Sequence, residues 1–203
     1  MRRFLSTRTL GIALCLALPF VATGCNDDDP LAAIDRFEKN RQKAQTKMDA
    51  VEGQYANCAV PTSPAASDAF AEEWKKRWDG IEKEVNRLKN ELNGVIKAGD
   101  KRFKKMDDMA RSIKSTDLRN AAVAKNNVQA QAWATVLREA AENVKKMDHQ
   151  VAAARDIYTV MKLDSMRSQT DNKIAEIRAL NGQMKATVAE LSKVTAEGRS
   201  LLR

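Results

Sequence analysis

Few residues in this chain are of a type, and at a spacing, that could do chemistry. His149 is the single histidine, and histidine is the side chain whose ordinary titration falls near neutrality. It stands between Met147 and Val151, two members of an apolar stripe, so a helix would turn its ring toward solvent. The acidic pairs Glu72-Glu73 and Asp107-Asp108 are adjacent in sequence, and neighbours on a helix diverge where metal ligands must converge. Asp27-Asp28-Asp29 lacks the alternating ligands and turn glycine of a calcium loop. No glycine-rich phosphate loop occurs. Catalytic residues, bound metal and cofactors are therefore not expected, and neither is an enzyme.

Two features remain. In Trp74-Lys75-Lys76-Arg77-Trp78 the indoles stand one helical turn apart with three cations on the other side. This reads either as core packing with a solvated back, or as an exposed aromatic and basic patch for headgroups, glycans or a partner helix. The cysteines are Cys15, Cys25 and Cys58. Cys58 reads as a buried thiol or, in a disulfide-permissive compartment, as the site of an intermolecular disulfide.

The first 24 residues have a basic start (Arg2, Arg3, Arg8), an apolar run from Leu10 to Val21 and the small residues Ala22, Thr23 and Gly24. This is the pattern of a secretory signal, too short for a permanent span. The Ala22-Thr23-Gly24-Cys25 tetrad resembles the lipobox of bacterial lipoprotein precursors, with Ala22 where that family favours Leu. The resemblance implies cleavage before Cys25 and acylation of its sulfur and new amino end. Several acyl chains hold a protein stably at about 0.8 kcal/mol per buried methylene. Arg2-Arg3-Phe4-Leu5 is similar to a twin-arginine signal but lacks that family's residue between Arg and Phe, which favours the general secretory route. Asn26, where lipoproteins kept in the inner membrane tend to have Asp, favours the outer membrane.

The expected organisation is residues 1–24 as signal, 25–29 as lipidated anchor and short acidic spacer, and 30–203 as one helical domain. The chain has 35 basic and 27 acidic residues, three of the basic ones in the leader, so the exported part is formally +5. Lys75-Lys76-Arg77, Lys101-Arg102, Lys104-Lys105 and Lys145-Lys146 are its dense spots, bordered by acids. They read as solvated helix faces or as contacts for anionic headgroups or cell-wall polymer. Nucleic acid is not an expected partner of an exported protein.

The elements that would position these residues are all helices. Proline occurs only at positions 19, 30, 61 and 64, and Asp100 to Asn181 contains neither Gly nor Pro. Asp29 suits an N-cap and Pro30 the first helical position. Ile34, Phe37, Arg41, Ala44, Met48, Val51, Tyr55 and Cys58 form a first seam at spacings of three and four. Asn57 to Ser67 reads as a loop. A second seam runs from Trp74, Trp78, Ile81, Val85, Leu88, Leu92 and Val95 past Gly99 to Met106, Met109 and Ile113, with a bend predicted near Gly99 and Asp100. Ser115-Thr116-Asp117 reads as a stop and cap. The third seam runs from Val123 and Asn126 through Trp133, Val144 and Val151 to Met161, with Asn126 as the polar register-setter. A reversal is expected within Leu163 to Asp171, and a last seam uses Ile174, Ile177, Leu180, Met184, Val188, Leu191 and Val194.

These seams predict an all-α fold: an elongated antiparallel bundle or coiled coil of three to four long helices. The rival is one very long helix from Asp117 onward pairing with a second copy. Functionally the sequence points to a non-enzymatic, lipid-anchored helical spacer, brace or scaffold of the periplasm. The alternative is a binding module capturing a toxin, a secretion-system component or an unfolded client. In general plan the chain resembles murein lipoproteins, but it closes Leu201-Leu202-Arg203 without their terminal Lys, so a covalent wall link is not expected.

Overall fold

The computed structural model describes residues 29–55, 58–169 and 173–203. The leader, Cys25, Asp27 and Asp28 lie outside them. Asp29 starts the first helix as its spacing with Pro30 predicts: its carboxylate accepts the backbone N–H of Leu31 at 3.0 Å. Four helices follow, α1 (Pro30–Tyr55), α2 (Pro64–Arg111), α3 (Thr116–Met166) and α4 (Ile174–Leu202). Ser63 caps α2 by accepting the Ala66 N–H at 3.2 Å, with Pro64 in the position where its missing N–H costs nothing. The turn between α2 and α3 occupies 112–115. Past α3, Ser168 takes the left-handed conformation with φ 59°.

Each helix packs on its neighbours in the chain, and α1 closes the ring against α4. The fold is an antiparallel four-helix bundle, and the single long helix paired with another copy is not what forms. Cross-helix ion pairs mark the register: Arg36 with Glu91 at 3.6 Å, Lys89 with Asp148 at 2.6 Å, and Arg199 with Asp35 at 2.6 Å. Such surface pairs contribute little individually, about 0–1 kcal/mol; the seams carry the fold. Their members from Ile34 to Tyr55 (Arg41 aside), Trp74 to Val95 and Ile177 to Val194 are all buried in one core. Arg41, the misfit of the first seam, is accommodated because its guanidinium pairs with Glu38 at 2.7 Å and lies across α4, 3.5 Å from the Val188 carbonyl.

Three expectations need correction. α2 begins at Pro64, inside the stretch read as a loop to Ser67, and runs unbroken for 48 residues through Gly99 and Asp100. Gly99 is there for space. A Cβ on it would come within 2.2 Å of the Trp133 indole nitrogen, and a Cβ on Gly198 within 3.4 Å of the same ring. The indole of α3 is thus wedged between a glycine of α2 and a glycine of α4. Asn126, expected to set register, is only half-buried. The core's polar members are instead Glu84, Asn143 and Asn181 among others.

The helices are unequal. At about 1.5 Å per residue, α1 and α4 are about 40 Å long and α2 and α3 more than 70 Å. Arg102 of α2 donates to the Leu202 carbonyl at 3.0 Å, and Gln129 of α3 donates to the Leu201 carbonyl at 2.5 Å. The two side chains satisfy carbonyls that the end of α4 leaves open, and they mark the level where the four-helix layer stops. Beyond it, residues 103–128 continue as a two-helix hairpin. There the seam residues Met106, Ile113 and Val123 are half-buried and Met109 is 60% exposed, because no second pair of helices covers them.

Candidate functional site

Trp74 is fully buried and Trp78 nearly so. Their rings lie 4.8 Å apart, and Tyr55 meets Trp74 edge-on at 5.7 Å and Phe70 at 5.4 Å. An exposed aromatic and basic patch therefore does not form at Trp74-Lys75-Lys76-Arg77-Trp78. The spacing of four that aligned the indoles also turned them inward, onto the α1 seam. Of the cations behind them, Lys75 pairs with Asp79 at 2.8 Å and sits 5.9 Å from the Tyr158 ring centre, and Arg77 pairs with Glu73 at 2.8 Å. Lys76 is exposed.

Cys58 lies past the end of α1 as a half-buried free thiol against the core. His149 is exposed, on the side its spacing predicts. Among the described residues no three His, Cys, Asp or Glu side chains converge to hold a metal ion.

The charged group that burial does single out is Glu84, which sequence reading passed over. It faces α1 from α2, with Lys47 at 3.2 Å and Arg87 at 2.8 Å. Burial pushes its carboxyl up, but hydrogen bonds from Arg87 and then Lys47 outweigh this and hold it below the ordinary value of 4.5. A glutamate one position before the seam valine Val85 was the signal. Its role is to join α1 to α2. Lys162 does similar work between α3 and α2: its hydrogen bonds to Asp68 and Glu72 hold the ammonium above its ordinary value.

Two shallow clefts flank the core. One of about 300 Å³ lies between α1 and α4 at Glu52, Tyr55, Arg178 and Asn181. The other, about 290 Å³, lies between α2 and α3 beside Trp74 and Tyr158. In the second, every charged lining side chain is already paired: Lys75 with Asp79, and Arg155 with Glu82. Neither cleft brings a nucleophile and a base together.

The most distinctive surface is the hairpin at 103–128. Met109, Leu118 and Val128 are 60%, 65% and 68% exposed, and Lys104, Lys105, Lys114 and Lys125 are exposed among them. Sequence reading placed Met109 in the core, since its spacing continues the buried seam; whether a partner helix reaches that far depends on the lengths of α1 and α4.

What the described residues define is an antiparallel four-helix bundle with an overhanging hairpin. No known family, curated protein or solved structure matches the chain. No helix of the described residues is long and apolar enough to cross a membrane.

Proposed function

We propose that the protein is a non-enzymatic lipoprotein of the bacterial envelope, acylated at Cys25 and facing the periplasm from the outer membrane, where its bundle acts as a spacer, brace or scaffold. The observation that carries this reading is the use to which the side chains are put. Apolar residues pack along the whole bundle, and most charged ones join neighbouring helices or neighbouring turns. A rod of this kind keeps a fixed length because its seams lock its register. The start of α1 at Pro30, five residues past Cys25, supports an attachment that holds the rod close to its membrane.

The test is Cys25→Ser in the full chain, followed by metabolic labelling with an alkyne fatty acid and fractionation of the cells. The label is lost and the protein leaves the membrane fraction. Persistence of label and membrane retention in C25S would refute the anchor. Cross-linking in intact cells checks the mechanical half. Co-fractionation with bulk wall material supports the brace, and recovery of one dominant protein supports a binding module instead.

A further inference from the structure

We infer that the overhanging α2–α3 hairpin docks on the anionic headgroups of the membrane that carries the Cys25 anchor; the inference rests on the lipid-anchor reading above. Charge is the first argument. Residues 101–128, the hairpin together with Lys101 and Arg102 at its base, hold eight basic and three acidic side chains, a surplus of five. That equals the surplus of the whole exported chain, so everything else from residue 25 onward balances at 24 of each sign. The positive field of the protein is thus concentrated at one end. None of Lys104, Lys105, Lys114 and Lys125 is in an ion pair with another described residue.

Position is the second argument. Arg102 and Gln129 fix the level at which α4 ends, and the Asp35–Arg199 pair places the start of α1 at the same end. From that level the hairpin projects about 15–20 Å further. The five residues from Cys25 to Pro30 can span at most about 18 Å. An anchor of that reach, attached at that end, leaves the hairpin no room to miss the headgroup layer.

Chemistry is the third. Exposed Met109, Leu118 and Val128 interleaved with lysines are the composition of a surface that sinks apolar groups to the acyl boundary while its cations meet phosphate. The half-covered seam would also suit the hairpin of a second copy. Two such ends would each bring a surplus of five positive charges into contact, which disfavours that pairing and favours an anionic surface.

The test uses the chain from residue 25 on with Cys25→Ser. Every described core side chain falls within it, from Ala33 to Leu202. It is mixed with vesicles of phosphatidylcholine alone, or of equal parts phosphatidylcholine and phosphatidylglycerol, and sedimented. Binding is expected to the anionic vesicles only, and to fall as salt rises. Lys104→Gln with Lys105→Gln lowers the partition coefficient roughly 30-fold, and Leu118→Ser lowers it roughly tenfold. Circular dichroism of these exposed-site variants checks that they remain folded.

Equal binding to neutral vesicles, no binding at all, or an undiminished partition in the lysine variant overturns the inference. So does a concentration-dependent dimer in sedimentation equilibrium that Leu118→Ser abolishes. Acylation is scored separately in cells: vesicle failure with Cys25 acylated refutes the docking alone, whereas an unacylated Cys25 removes the anchor and with it the inference.

Discussion

Replacing Gly94 and Gly99 by alanine, one at a time, should move stability in opposite directions although both sit in the interior of α2. In an unobstructed helix, Gly→Ala gains about 1 kcal/mol from lower chain entropy and a covered backbone. A Cβ on Gly94 meets nothing within 4 Å, so Gly94→Ala should stabilise by about 0.5–1 kcal/mol. For a domain of this size that raises Tm by about 2–4 °C per kcal/mol. A Cβ on Gly99 would lie 2.2, 2.8 and 3.1 Å from three atoms of the Trp133 indole. Gly198 faces the same ring from α4, where an added Cβ would lie 3.4 Å from it, so the ring's retreat is limited to the space that glycine leaves. Overpacking of this kind costs about 1–3 kcal/mol, and after the helix term of about 1 kcal/mol the net loss for Gly99→Ala is about 0–2 kcal/mol. The assay is urea unfolding followed by circular dichroism, which does not depend on the tryptophan. In a Trp133→Leu background the same substitution should become neutral or stabilising, giving a coupling of about 2 kcal/mol in the double-mutant cycle. If Gly99→Ala stabilises as much as Gly94→Ala does, the wedge is not tight and the account of this interface fails.

Glu84 makes stability sensitive to acid. Its folded carboxyl titrates below 4.5, so its contribution is complete above about that pH and is lost as pH falls through the lower folded value. Glu84→Gln should cost about 1–3 kcal/mol at neutral pH and flatten the acid limb of a Tm-against-pH curve; an unchanged limb would count against its role. The chain's three tryptophans, Trp74, Trp78 and Trp133, are all at most 3% exposed. Iodide should barely quench their emission until urea unfolds the bundle, and strong quenching of the native protein would contradict the packed aromatic cluster. Arg102→Ala with Gln129→Ala should loosen the last turn of α4 and speed amide hydrogen exchange there, leaving exchange near Met184 unchanged; equal acceleration at both places would mean global destabilisation.

The stripes at every third and fourth residue were enough to read an all-helical bundle of three to four long helices and much of its core from the sequence, because burying one face is what these helices need to be stable. Asp29 and Pro30 placed the start of α1 for local reasons of capping, whereas Ser63 and Pro64, which start α2 in the same way, fell inside the stretch read as a loop. The other places where reading failed share a cause: each depends on another element. Gly99 looked like a weak point in α2, and only the approach of Trp133 explains it. Met109 obeys the seam yet stays in water, since α1 and α4 stop short. Glu84 looks like an ordinary surface acid until Lys47 is brought across from α1. The tryptophan and lysine cluster offered two readings, and the alignment of Trp74 with Tyr55 selects packing. Cys25 lies outside the described residues, and its acylation rests on the lipobox resemblance.

The start of α1 and the close of α4 stand side by side, so joining them with a short linker would make the chain circular without disturbing any of the four interfaces. New ends could then be cut in the proline-bearing segment before Ser63, about 40 Å away along the bundle. A lipid-bearing cysteine added there would turn the molecule upside down, with the hairpin pointing away from the bilayer. Polarity of the rod thereby becomes a variable that can be reversed while composition and packing are held constant.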